Sequence, residues 1–178
     1  MVGWQRYDPA LLNEPGSFTV SGVVAGSLTR AEATVHVCST VEDGTHSGAL
    51  VAATGVTCLA DAAVTGPVTV QSGASLVALG GTVTGPVSAA RAAEVWLVGA
   101  EIGGSLSVVG TTGRVFVSGT GVAGGASLVD SRTGERPVVL SGTTVGGPLV
   151  CLGNDPAPTD AGVPNTVTGP VVGQCADP

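Results

Sequence analysis

The chain contains no lysine; its six basic residues are all arginines, Arg6, Arg30, Arg91, Arg114, Arg132 and Arg136. They are scattered along 178 residues whose formal charge is −7. No basic cluster could follow a phosphate backbone, which argues against a nucleic-acid partner. Aromatic residues are nearly as scarce. Trp4, Tyr7, Phe18, Trp96 and Phe116 are all there are, so any core must be built from Val, Leu and Ala. No stretch reaches the roughly 18 continuous apolar residues of a membrane span, and residues 1–14 lack the charged-then-apolar pattern of a signal peptide. His36 and His46 are the only histidines, and no Ser-His-Asp order with a nucleophile elbow is present.

What the chain does have is turn punctuation, 29 Gly and 11 Pro, set among Val and Thr. That composition favours short strands over helices and predicts an all-β fold. Four cysteines, Cys38, Cys58, Cys151 and Cys175, fall as two sequence-local pairs with no CxxC. This pattern suits disulfides better than a zinc site, although four cysteines permit three connectivities. Local pairing, Cys38 with Cys58 and Cys151 with Cys175, is the expectation. An exported protein follows from it, secreted or held at the cell surface, with its export signal outside this chain.

Repetition is the strongest signal. Val64, Val83, Ile102, Val122, Val145 and Val167 recur at intervals of 19, 19, 20, 23 and 22. Two residues after each stands a glycine: Gly66, Gly85, Gly104, Gly124, Gly147 and Gly169. Small or aliphatic residues follow at the fourth and sixth positions, a period-2 strand with one apolar face. Upstream lie Leu76/Ala78, Val95/Leu97, Val115/Val117 and Val138/Leu140, closed by Gly80, Gly99, Gly119 and Gly142. Each repeat is then one coil of three short sides. Stacked at about 4.8 Å, successive coils bury the face that a single coil cannot. The prediction is a parallel β-helix of about five coils, with Val117 buried between Leu97 and Leu140. A left-handed hexapeptide coil holds about 18 residues, so the longer intervals favour the right-handed form. A β-sandwich would not place glycine columns in register.

Residues 1–37 do not share the repeat. Their order, Val2 and Trp4, then PGSFTVSGVVAG (15–26), then ATVHV (33–37), resembles the C-terminal half of a bacterial immunoglobulin-like domain of group 4. That resemblance implies an antiparallel strand segment, either capping the β-helix or marking where a longer parent was divided. The tail VCLGNDPAPTDAGVPNTVTGPVVGQCADP (150–178), with TGPVTVQSGASLVALGGTVTGPV before it, is similar to uncharacterised secreted repeat proteins of actinobacteria over about 120 residues. This second resemblance implies export and supports pairing Cys151 with Cys175. The expected organisation is a partial Ig-like segment at 1–37, a connector or N-terminal cap at 38–57 and a β-helix at 58–178 with a disulfide-closed C-terminal cap.

Candidate chemistry is sparse. Glu94, directly before its strand, and Glu101, beside Ile102, are the carboxylates that the repeat brings nearest, with Arg91 or Arg114 close in sequence. More often such residues form a solvated face. Asn154, Asp155, Asp160 and Asn165 group oxygen ligands that could hold Ca²⁺, but the prolines and disulfide of the same loop favour a stiff cap without metal. The outward neighbours of the repeat residues carry a full Thr-x-Thr pair only at Thr82/Thr84 and Thr166/Thr168, too broken for an ice-binding ladder. Trp96 lies outward between Val95 and Leu97, where it is either an exposed platform for a sugar ring or a residue covered by a cap. With Glu94 and Glu101 it marks the possible binding surface. No catalytic residue, metal or cofactor is expected. The favoured function is a structural or binding module, a rigid spacer or display scaffold, acting as a monomer or small homo-oligomer. Its expected partners are another domain of its parent or an extracellular or cell-envelope glycan. The rival is a carbohydrate-binding accessory to a glycan-degrading enzyme, and a small β-helix glycan lyase or hydrolase is a distant third.

Overall fold

The computed structural model describes residues 17–19 and 35–176. It is an all-β parallel solenoid of about seven turns. Three sheets run its length, each receiving one strand per turn. Sheet B holds Thr40–Glu42, Val56–Ala60, Ser75–Leu79, Glu94–Val98, Val115–Ser118 and Val139–Ser141. Sheet C holds seven two-residue strands, from Thr45–His46 to Thr166–Val167, and sheet D seven strands from Leu50–Ala52 to Val171–Gly173. Among the described residues the one helical element is a 3-10 turn, Gln174–Ala176. Among the described residues no helix is long and apolar enough to cross a membrane.

The register follows the predicted periodicity residue for residue. Val64, Val83, Ile102, Val122, Val145 and Val167 stack in sheet C. Leu97 pairs with Val117 and Val117 with Leu140 in sheet B, and Val117 is completely buried. The inward residues form one continuous apolar cluster of Val, Leu, Ala and Ile running from Leu50 to Cys151 and Cys175. The 130–137 insertion lies between a sheet D strand and a sheet B strand, so its extra length leaves the stack intact.

The two kinds of glycine column do different jobs. Gly80, Gly99, Gly119 and Gly142 close sheet B strands with φ of +68°, +64°, +56° and +55°. Asp61 holds the equivalent corner of an earlier turn at +50°, so this column demands a left-handed backbone rather than glycine itself. The column after sheet C is glycine for want of room. At Gly104 a Cβ would lie 2.5 Å from the backbone nitrogen of Pro86, one turn below.

The coil number exceeds the predicted five, and one of the added turns comes from residues 40–52, expected in a connector, which supply one strand to each sheet. His46 stands at the repeat position and pairs with Val64, Gly48 follows two residues later, and Leu50 pairs with Val68. The turn escapes a search for recurring aliphatics because a histidine begins it.

At the other end, Asp155 to Val163 passes over the last sheet B strand as an irregular further rung. The Leu140 N–H donates to the Thr159 carbonyl at 3.0 Å and the Gly142 N–H to that of Val163 at 3.0 Å. The proline-rich loop therefore caps sheet B alone. Sheets C and D continue past it to Thr166–Val167 and Val171–Gly173, where Val171 and Val172 are exposed. This narrows the expectation that the whole segment from Asn154 to Cys175 seals the end.

Val35–Val37 pairs antiparallel with Ser17–Thr19, so the N-terminal segment does contain antiparallel strands. The proposed Val2–Trp4 strand and residues 20–34 lie outside the described residues.

Candidate functional site

The outer face of sheet B gathers most of the side chains that could carry function. Its strands are apolar on both faces, and Cys58, Val77 and Trp96 form a second buried cluster separate from the core. Leu79, Val98 and Phe116 pack against it, half buried. A parallel sheet whose outer face is also apolar is ordinarily covered. Here the cover includes the strand Val35–Val37: His36 is buried on Trp96 with ring centroids 5.0 Å apart, and its Nε2 donates to Glu94 Oε1 at 3.2 Å. Two residues on, Cys38 is bonded to Cys58, with Cα atoms 5.8 Å apart. The chain thus passes from the turn of Trp96 down to that of Cys58, across the rungs. It lies on the side of the solenoid rather than over its end.

Trp96 is consequently the covered residue of the two alternatives, not an exposed one. It points out of its coil, as its place between Val95 and Leu97 predicts, yet it is only 6% exposed. Phe116 of the next turn stacks on its face at 4.4 Å and 25°, Val77 pairs with it from the turn below, and the Arg114 guanidinium lies 4.5 Å from its ring centroid. His36 is likewise enclosed, between Trp96 and Glu94.

The two carboxylates part company. Glu94 stands in sheet B and accepts from His36, whereas Glu101 points outward from sheet C, with its carboxylate folded over Gly121 of the next turn. A shallow hollow surrounds Glu101, lined also by Thr120, Gly121, Ala123, Thr144 and Gly146. Neither Arg91 nor Arg114 lines it. The outward column through this hollow runs Thr82, Glu101, Gly121, Thr144, Thr166, so the Thr ladder is interrupted.

The candidate cation loop uses its amides on backbone. Asn154 Oδ1 accepts from the Ser131 N–H at 3.1 Å while Nδ2 donates to the Leu128 carbonyl at 2.8 Å. Asn165 repeats this one corner further on, with the Thr143 N–H at 2.9 Å and the Leu140 carbonyl at 2.7 Å. Asp160 Oδ1 accepts from the Gly162 N–H. Among the described residues no three His, Cys, Asp or Glu side chains group to hold a metal ion. Cys151 is bonded to Cys175, so both predicted disulfides are formed. Sequence reasoning missed the two asparagines' role. The signal was their spacing: each falls at a corner whose earlier turns carry Gly, Ala, Thr or Ser at the same position.

The chain matches no protein-family profile, and no curated protein or solved structure is significantly similar to it.

Proposed function

We propose that this chain is a rigid structural module of an exported protein, a spacer or display scaffold with no chemistry of its own. One observation carries the reading: the side chains best suited to chemistry are engaged in holding turns or segments together. His36 binds Glu94, Trp96 stacks on Phe116, and Asn154 and Asn165 bind the backbone of the turns beneath them. The two disulfides suit an oxidising compartment. With seven turns at about 4.8 Å the rod is about 30 Å long, and it can hold a neighbouring domain off a surface at low conformational freedom. Its partner is another domain of the parent protein or an envelope or extracellular glycan met by the outer sheet faces. The carbohydrate-accessory reading loses its main support with the face of Trp96.

The test is recovery of the protein from the cells that make it, with alkylation of free thiols before lysis, together with incubation of the purified chain with soluble and insoluble glycans. All four cysteines oxidised in protein found outside the cytoplasm, and no glycan turnover, are the expected results. Free thiols in a cytoplasmic pool, or measurable turnover, would overturn the reading.

A further inference from the structure

We propose that the Cys38–Cys58 bond is a reducible clasp, and that the strand it holds is a cover that lifts off sheet B while the solenoid stays folded. Three independent observations lead to this. The cover is not built into the ladder: the strand Val35–Val37 pairs with Ser17–Thr19 and with no solenoid strand. It meets the solenoid through the outer apolar cluster, which is distinct from the core, and through the single His36–Glu94 hydrogen bond. Removing it costs the solenoid no rung hydrogen bonds.

The covered state is also imperfect. His36 Nδ1 and Trp96 Nε1 are both buried without a hydrogen-bond partner, although their residues are only 4% and 6% exposed. Buried polar atoms are normally satisfied, and leaving one unpaired opposes burial. Lifting the cover hydrates both atoms, which offsets part of the apolar contact that is lost. Regions with such a balance are the ones that open locally. What keeps the cover in place is then the tether, which holds the strand at high effective concentration over its site.

The two disulfides differ in access. Cys58, Cys151 and Cys175 are buried, and Cys38 alone of the four is half exposed. Thiol exchange requires a thiolate to reach one sulfur of the pair. A dithiol reductant attacks Cys38 Sγ, and Cys58 Sγ leaves as a thiolate and takes up a proton. The second thiol of the reductant then closes on the mixed disulfide and releases Cys38 as a thiol. Two electrons and two protons pass to the cystine, and the reductant becomes a cyclic or linked disulfide. Cys151–Cys175 offers no comparable entry and remains as a lock on the last turns.

The experiment uses the full chain carrying Trp4→Phe, which leaves Trp96 as the only tryptophan. Graded dithiothreitol is followed by differential alkylation and peptide mass spectrometry, by acrylamide quenching of Trp96 and by far-ultraviolet circular dichroism. Cys38–Cys58 is expected to open at least tenfold faster than Cys151–Cys175. The quenching constant of Trp96 should rise about threefold at that step, with the β signal retained. Equal or reversed rates, unchanged quenching after the first bond opens, or loss of the β signal at the same step would each refute the clasp. The single variant Cys38→Ser should show the raised quenching without reductant. If it stays protected, or fails to fold, the cover does not depend on the bond in the way proposed.

Discussion

The side-chain amide of Gln174 pairs with both backbone groups of Asn154, accepting its N–H at 2.8 Å and donating to its carbonyl at 2.8 Å, as a neighbouring strand would. Asn154 passes the same service down to Leu128 and Ser131. Side-chain amides thus finish hydrogen bonding that the backbone supplies in the middle of the stack.

Loss of either carboxamide should therefore destabilise the C-terminal turns. Asn154 is buried, so Asn154→Ala strands a donor and an acceptor and is expected to cost about 2 kcal/mol. Asn165 is half exposed, water can replace its bonds, and Asn165→Ala should cost about 1 kcal/mol. Asn154→Asp removes the donor to Leu128 and should resemble Asn154→Ala. Urea unfolding monitored by circular dichroism ranks the three; a neutral Asn154→Ala would refute the substitute-rung role.

The stacked core makes a second prediction. Val117→Asp buries an unpaired carboxylate between Leu97 and Leu140 and is expected to cost about 4 kcal/mol. Gln71 is exposed at a corner, and Gln71→Asp should fall within about 0.5 kcal/mol of the parent. Equal melting temperatures for the two variants would show the register to be wrong.

The glycine columns give a third. Gly104→Ala drives a methyl group into the backbone of Pro86 and Gly85 and should cost about 2–3 kcal/mol, because only a shift of a whole turn relieves it. Gly99 has open space around its α-carbon but a φ of +64°. Gly99→Ala should cost about 1–2 kcal/mol for the left-handed backbone. Gly99→Asn should cost less, since Asp61 and Asp130 already hold corner positions at +50° and +52°. The order Gly104→Ala, Gly99→Ala, Gly99→Asn, from most to least destabilising, is measurable by thermal unfolding.

Most of the solenoid was legible because each turn repeats the same spacing. The marker column and the sheet B pairs such as Leu97 and Val117 follow from position alone, and both disulfides join the sequence-local cysteines. The outer face was less legible for a definite reason. Period-2 analysis assigns one face of each strand to the core and the other to solvent, but SLVAL, EVWLV and VFVS are nearly continuous apolar runs. Such runs belong to parallel strands buried on both sides. Trp96 was therefore open to two interpretations, and only the position of His36 decides between them. Glu94 and Glu101 stand seven residues apart in sequence but on different sheets, because the corner at Gly99 falls between them. The spacing of the asparagines marks their corners, but that their amides complete backbone pairing there depends on which turn is last.

The last prediction concerns assembly. The Val171–Gly173 strand ends sheet D with no further described strand beside it, and open edges of this kind recruit other chains. Two features oppose that here: the edge is only three residues long, and the Gln174–Ala176 turn that follows it is tied back to the preceding rung by Cys175 bonding to Cys151. The double variant Cys151→Ser/Cys175→Ser frees this turn, and loss of a 24-residue loop closure removes about 3 kcal/mol of stability as well. In sedimentation velocity the intact chain is expected to run as a discrete monomer or small oligomer whose coefficient is independent of concentration. The double variant should show a coefficient that rises with concentration below its melting temperature. Adding Val172→Lys to the double variant places a charge at the centre of the exposed edge and should restore the discrete species. Open-ended fibres from the intact chain would refute the capping role of this turn, and a double variant that stays discrete would show that the edge is protected by its shortness alone.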